Sequence, residues 1–380
     1  MTTKPPLELI GQGSDTVAPI GLYVHIPFCV RKCNYCDFCS QPPTGDIIDR
    51  YFERLARELA LYRRSTRISV DTVFIGGGTP SILPHGYMSR LFEMLRDTFD
   101  ILCDAEITVE INPGTLTRDK AEEYKAIGIN RISLGLQSIH ENELKYLGRI
   151  HTLADFDEAY SLLRSLGFAN IGVDLMYSIP EQTVASFGAT LDYVISLAPE
   201  HLSVYSLIVE EGTPFGNTAK TLPLPTEDEE CDMYDLARLR LAKAGYTHYE
   251  ISNYARSGFE CKHNLKYWKC REYIGIGAAA HSFFENVRYG NTRDILHIDR
   301  DPEYSDDGDR VGEFVMMHLR LRSGLPLREF EERFGYSFLD SHQSTVDFFM
   351  NQGIMTQEND CLVLTERGFY LSNTVLVALM

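Results

Sequence analysis

The stretch HIPFCVRKCNYCDFCSQ, His25 to Gln41, holds four of the chain's nine cysteines within eleven positions. Cys29, Cys33 and Cys36 form C-x-x-x-C-x-x-C immediately after an apolar run that ends at Pro27. Zinc sites usually pair C-x-x-C units across a spacer, and no second Cys or Cys/His pair follows at that spacing. A disulfide framework fits poorly too, because nine is odd and Cys103, Cys231, Cys261, Cys270 and Cys361 are scattered. Three thiolates on one tight loop suit a [4Fe-4S] cube, in which they leave one iron open to an exogenous ligand.

Around that loop the chain reads as an ordinary globular protein. It has 380 residues, 44% of them hydrophobic and 24% charged, with no low-complexity tract. The balance of 36 basic against 54 acidic residues gives a net charge of −18, which excludes a wide basic face for nucleic acid or anionic lipid. The N-terminal MTTKPPLELIGQGSDTVAPIG lacks a basic segment followed by an apolar one, and no run of eighteen apolar residues occurs. A soluble, cytoplasmic protein is expected.

Apolar, β-branched runs predict six strands at 21–27, 71–77, 106–112, 131–138, 171–178 and 201–209. Between them lie amphipathic stretches such as IIDRYFERLARELALYRR and DFDEAYSLLRSLG, several closing at Gly. Strand-helix units repeated in this way imply a parallel sheet, since consecutive parallel strands need a crossover. A partial (β/α)6 barrel or an open doubly wound sheet would satisfy the pattern. Beyond about residue 215 the rhythm changes: YTHYEISNYAR predicts one further strand, and YIGIGAAAHSFF a Gly- and Ala-rich turn. From about 310, helices, a short apolar hairpin and a last helix predict a smaller winged-helix-like domain. The expected organisation is an N-terminal extension over 1–20, a barrel over 21–250, a connecting region over 251–300 and the end domain over 301–380.

The open iron of such a cluster can be chelated by the amino and carboxylate groups of S-adenosylmethionine (SAM), whose sulfonium then accepts an electron and cleaves to a 5′-deoxyadenosyl radical. The cysteine loop follows a strand, where barrel enzymes place their chemistry. GGGTPS (76–81) follows the second strand, and Gly76, Gly77 and Gly78 would let backbone approach a ligand closely. Glu110, Gln137, Arg149 and Asp174 are polar groups in or beside buried strands, where an unpartnered group costs about 1 to 3 kcal/mol. A shared ligand accounts for all four.

With YVHIPFCVRKCNYCDF, FIGGGTPS, EINPGTL, NRISLGLQS, VDLMYSIPEQT and EEGTPF in order from about residue 21, the chain resembles the radical SAM family of oxygen-independent coproporphyrinogen oxidases and their haem-chaperone relatives. The resemblance implies a partial (β/α)6 TIM-like barrel with Cys29, Cys33 and Cys36 as cluster ligands. It also implies SAM contacts from Tyr23, Gly77 and Glu110. Tyr35, Gly78, Thr79, Gln137, Arg149 and Asp174 match positions that hold a second SAM in the oxidases. An electron donor is implied as well.

Two features favour the chaperone branch, HemW. The oxidases resemble C-x-x-x-C-x-x-C-x-C, whereas Phe38 stands at the fourth position here and Cys39 follows it. HNLKYW (263–268) matches the H-N-x-x-Y-W motif of haem binding in that branch, which points to His263, Asn264, Tyr267 and Trp268. A neutral imidazole can ligate haem iron, and Tyr267 and Trp268 offer flat apolar surface. His281 and Cys270 are the fallback ligands. The chain also starts only 28 residues before Cys29, short of the oxidases' N-terminal region. The expected function is haem binding and delivery to apo-haemoproteins, such as membrane-associated respiratory proteins. Oxidative decarboxylation of coproporphyrinogen III is the alternative activity, and a nucleic-acid-modifying radical SAM protein is a distant third that the acidic charge disfavours.

Overall fold

Six parallel strands lie side by side in sequence order, each followed by helix. They are β1 (Ile20–Ile26), β2 (Ser69–Gly77), β3 (Asp100–Ile111), β4 (Arg131–Gln137), β5 (Ile171–Tyr177) and β6 (His201–Ser206). This computed structural model describes residues 18–303 and 307–380. Because the order never reverses, there is no switch point, and the curved open sheet is a partial barrel rather than a doubly wound one.

The crossovers explain their own placement. In α1 (Ile47–Ala60) Tyr51, Phe52, Leu55 and Leu59 recur at helical spacing and are buried against the sheet. Helices α2 (Tyr87–Thr98), α3 (Arg118–Ile127), α5 (Leu153–Ser165) and α6 (Val184–Leu197) cover the same face, while the short α4 (Glu141–Leu147) buries Leu147 in a separate cluster with Met176, Ile179, Leu207 and Phe215. Both α5 and α6 start with capping boxes, Thr152 with Asp155 and Thr183 with Ser186. Gly128 and Gly148 take positive φ where α3 and α4 stop.

The sheet extends beyond the six strands at both edges. After α7 (Pro214–Thr218) and α8 (Glu227–Lys243), the single strand expected in YTHYEISNYAR is a hairpin of β7 (Thr247–Glu250) and β8 (Asn253–Ala255), with β8 antiparallel to β6. The buried Glu250 carboxylate accepts from the Asn253 side chain and the Ser252 N–H, closing that turn. After α9 (Lys262–Trp268), β9 (Tyr273–Ile276) pairs parallel with β1. The antiparallel strands β10 (His281–Phe284), β11 (Val287–Asn291) and β12 (Arg300–Glu303) follow. Only the middle of YIGIGAAAHSFF is therefore turn. A side chain on Gly275 would sit 2.1 Å from the His281 carbonyl oxygen, so the close backbone approach demands glycine within a strand. Residues 251–300 thus supply strands to the main sheet. Of the N-terminal extension, residues 1–17 lie outside the described residues.

The C-terminal part has its own apolar core of Phe314, Leu319, Phe330, Phe338, Phe349, Leu362 and Val375. It comprises α10 (Asp307–Leu319), α11 (Leu327–Phe334), α12 (Phe338–Asn351), α13 (Glu366–Tyr370) and α14 (Ser372–Leu379) around a three-stranded sheet of β13 (Leu325–Pro326), β14 (Met355–Glu358) and β15 (Cys361–Leu364). Helices with a small apolar wing match the expected end domain.

Candidate functional site

The cysteine loop leaves β1 at the C-terminal mouth of the barrel and is held by backbone bonds on both sides. Cys29 N–H donates to the Gln41 carbonyl at 3.1 Å, and Gln41 N–H donates to the Pro27 carbonyl at 3.0 Å. Further out, Asn34 N–H donates to the Leu147 carbonyl at 2.9 Å and its side-chain amide donates to the Tyr146 carbonyl at 2.7 Å. Phe215 N–H closes the tie on the Asn34 carbonyl at 3.0 Å. This bracing sets Cys29, Cys33 and Cys36 on the wall of one cavity of about 410 Å³.

All nine cysteines are free thiols, which removes the disulfide reading. Among the described residues, no three His, Cys, Asp or Glu side chains gather closely enough for a single metal ion. Three thiols spread along a cavity wall instead fit a polynuclear cluster with an open side. Arg149 Nη1 donates to Cys33 Sγ at 3.9 Å, while its Nη2 donates to the Gly135 carbonyl at 2.8 Å. Burial pushes the Cys36 thiol up to about 11, so a metal must displace its proton on binding. Thr79 Oγ1 meets Cys29 Sγ at 3.4 Å. Cys39 faces away: its thiol donates to the Arg293 carbonyl at 3.5 Å, and it does not line this cavity.

The strands and the segment after α4 bring together Gly77, Gly78, Thr79, Glu110, Gln137, Arg149 and Asp174 on the cavity, with Tyr35 from the loop itself. Glu110 Oε2 accepts the Gly77 N–H at 3.0 Å. Burial, reinforced by the nearby Asp174 charge, pushes the Glu110 carboxyl up to about 8, and the Gly77 N–H only partly offsets this. Asp174 accepts from the Ser133 hydroxyl at 2.9 and 3.1 Å. Burial raises its carboxyl as well, against the hydrogen bonds of Ser203 and Ser133. Gln137 takes a positive φ of 69° as β4 ends. Gly77 and Gly78 line the cavity, and the protein's own packing adds a second demand for glycine in this run. A Cβ on Gly76 would fall 2.9 Å from the Glu110 carboxylate, on Gly77 2.5 Å from the His25 ring, and on Gly78 2.6 Å from the Phe28 carbonyl oxygen. Side chains here would collide with Glu110 and the cysteine-loop segment as well as narrow the cavity wall.

Three further residues shape this cavity that the sequence reading passed over: Arg131 and His201, which open buried strands, and Tyr205. The Nε atoms of Arg131 and Arg149 and the Nδ1 of His201 are buried without a partner among the described residues. Unpaired donors of this kind around a cavity match a ligand with carboxylate, ribose and base acceptors, as SAM has. Charged residues at the start of otherwise apolar strands were the available signal.

A second, larger cavity of about 1090 Å³ adjoins the first, and Phe38, Tyr205 and Asn264 line both. Tyr23 belongs to this second space rather than to the cluster cavity, and its hydroxyl donates to His25 Nδ1 at 3.0 Å, because His25 Nε2 donates to the Cys39 carbonyl at 2.8 Å. Asn264, Tyr267, Trp268 and His281 also line it. His263 does not. It is fully buried on Phe74, with Nδ1 2.9 Å from Thr72 Oγ1 and Nε2 2.7 Å from the Tyr267 hydroxyl. Burial lowers its imidazole to about 3, which keeps it neutral. Cys270 is buried in the C-terminal core, away from both cavities.

Comparison with known proteins agrees with this architecture. Residues 23–194 match the radical SAM superfamily and residues 306–371 match the HemN C-terminal domain. The fold is similar to that of coproporphyrinogen III oxidase (HemN) from Escherichia coli, a radical SAM enzyme, with a TM-score of 0.81 at 22% identity over 95% of this chain and 90% of that one. Heme chaperone HemW of Lactococcus lactis is 35% identical, covering 94% of this chain and 96% of its own length. Heme chaperone HemW of Escherichia coli is 37% identical, covering 94% and 97%. The superfamily implies a [4Fe-4S] cluster and SAM, and the three thiols and the unpaired donors above suit them. Matched at this identity over nearly its whole length, and carrying both family domains, the chain belongs to the HemW family of radical SAM proteins.

Proposed function

We propose that this protein binds haem in the larger cavity and delivers it to apo-haemoproteins, with membrane-associated respiratory proteins among the recipients. The observation that carries this reading is the cavity itself. Its volume of about 1090 Å³ lies just above the roughly 300 to 1,000 Å³ usual for small-molecule sites, as a ligand of porphyrin size requires. Tyr23, Tyr267, Trp268 and Tyr273 give it aromatic walls suited to a porphyrin plane.

His263 is the iron ligand in this reading, with Tyr267 as its displaceable cover. With Nδ1–H donated to Thr72, the lone pair of Nε2 is the one that accepts the Tyr267 hydroxyl, and a second hydrogen bond at Nδ1 is the usual support of a metal-ligating histidine. His281, exposed on the cavity wall, is the alternative.

Cys29, Cys33 and Cys36 hold the [4Fe-4S] cluster. Tyr35, Gly77, Gly78, Thr79, Glu110, Gln137, Arg149 and Asp174 contact SAM, with Tyr23 behind them. A reduced cluster can supply an electron to the SAM sulfonium, for which an electron donor is needed. Phe38 stands where the oxidases place a cysteine, and this favours delivery of haem over decarboxylation of coproporphyrinogen III. A cytoplasmic location accords with the absence, among the described residues, of a helix long and apolar enough to cross a membrane.

The test uses anaerobically reconstituted protein, given haem in one arm and coproporphyrinogen III with SAM and a reductant in the other. Saturable haem binding and transfer to an apo-haemoprotein without formation of protoporphyrinogen IX are expected. Robust formation of protoporphyrinogen IX would replace the chaperone with the enzyme.

A further inference from the structure

The larger cavity holds a cation that, among the described residues, has no hydrogen-bond or ion-pair partner. Arg320, half-buried, lies over the indole of Trp268 with its guanidinium carbon 5.9 Å from the ring centroid. Among the described residues no hydrogen bond or ion pair engages that guanidinium. Glu250, fully buried in the same wall, feels its charge, but accepts from Asn253 and Ser252 instead. A guanidinium held beside an aromatic ring keeps its planar fork of donors, which can take a carboxylate in two parallel hydrogen bonds.

A second cation is close to free. Arg293, on the same cavity, pairs with Asp37 of the cysteine loop at 3.1 Å, but the two side chains are 64% and 52% exposed. Exposed pairs of this kind contribute little, so a ligand carboxylate can replace Asp37 at small cost.

We propose that Arg320 anchors a carboxylate of the molecule that fills this cavity, and that Arg293 takes a second by exchange with Asp37. The cavity then selects a flat aromatic ligand that carries carboxylates, and discriminates against the same ring system with those groups masked. The proposal rests on the haem reading above and adds its specificity determinant.

Haemin and haemin dimethyl ester are the probes, titrated by absorption into the full-length reconstituted protein. Haemin is expected to bind at least about tenfold more tightly than the ester, the scale of a charge-assisted pair. Arg320→Ala should bring haemin most of the way down toward the affinity of the ester, the remainder resting on Arg293, while leaving the ester unchanged, and Arg320→Lys should recover part of the preference. If Arg320→Ala does not fold, as judged by circular dichroism, Arg320→Gln makes the same comparison with the stem retained. Equal affinities of the wild-type protein for the two probes, or an Arg320→Ala loss shared equally by both, would overturn the anchor and leave haem binding intact. Saturable binding of neither probe would remove the haem reading and the anchor with it.

Discussion

The hydroxyl of Tyr267 meets Nε2 of His263 at 2.7 Å, one helical turn along α9, and so covers the atom through which an imidazole would hold iron. Removing the cover should ease ligation. Tyr267→Phe keeps the ring but leaves Nε2 without its donor, a loss of about 0.5 to 1.5 kcal/mol in the haem-free state. Haem affinity is expected to rise by up to about tenfold in an absorption titration. His263→Ala should weaken binding and shift the haem spectrum while cluster and SAM signals persist. Haem spectra identical in wild type and His263→Ala, but altered by His281→Ala, would transfer the ligand role to His281.

Cluster loss should follow the cavity wall. Replacing Cys29, Cys33 or Cys36 by Ala is expected to abolish the visible absorption of the reconstituted cluster. Cys39→Ala should retain it, because that thiol bonds to the Arg293 carbonyl on the far side of the loop. Retention in Cys33→Ala with loss in Cys39→Ala would reassign the ligands.

Glu110 should matter twice. Its hydrogen bonds to SAM polar groups would be charge-assisted, so Glu110→Ala should cost about 1.5 to 3 kcal/mol of SAM binding, about tenfold or more by calorimetry. Its raised carboxyl also has a signature in the cofactor-free protein. A folded-state value near 8 against an unfolded value near 4.5 means that the folded state holds the proton more tightly. The stability this gives is complete below about 4.5 and is lost as pH rises through 8. Glu110→Gln should flatten that fall in denaturant midpoints measured across the window. An unchanged slope would contradict the burial argument.

Arg54 and Glu58 form an ion pair on α1 with both side chains fully buried. Glu58 also accepts from Gly277 N–H at 3.0 Å and from the Asn291 amide at 2.6 Å, so one carboxylate ties α1 to the strands beyond β9. Arg54→Met strands that charge and is expected to destabilise the protein by about 3 to 5 kcal/mol in chemical denaturation. The double variant Arg54→Met, Glu58→Met should regain part of the loss. A single variant as stable as wild type would show that Glu58 is satisfied without Arg54.

The six barrel strands were legible because each is a β-branched run that parallel packing buries on both faces, and the observed boundaries differ by a few residues at most sites. Whether the sheet reversed its order depends on which strands are neighbours, and no local run carries that information. The hairpin in YTHYEISNYAR escaped because its turn is made by a buried Glu250, with no Gly or Pro to mark it. β9 and β10 were hidden in a glycine-rich run whose Gly275 serves strand packing. The cysteine loop was legible from spacing alone. The pairing of His263 with Tyr267 and Thr72, and the assignment of Tyr23 to the larger cavity, rest on contacts between distant segments that spacing does not report.

The ties on Asn34 have a kinetic consequence. Its partners Tyr146, Leu147 and Phe215 lie more than a hundred residues further along the chain, so the cysteine loop gains its fixed shape only after the five strands β2 to β6 and their crossovers have docked. Contacts of such long range close late, since the entropy of the intervening chain must be lost first. Iron and sulfide therefore meet preformed thiol geometry only in the assembled barrel, and cluster insertion belongs at the end of folding rather than during emergence from the ribosome.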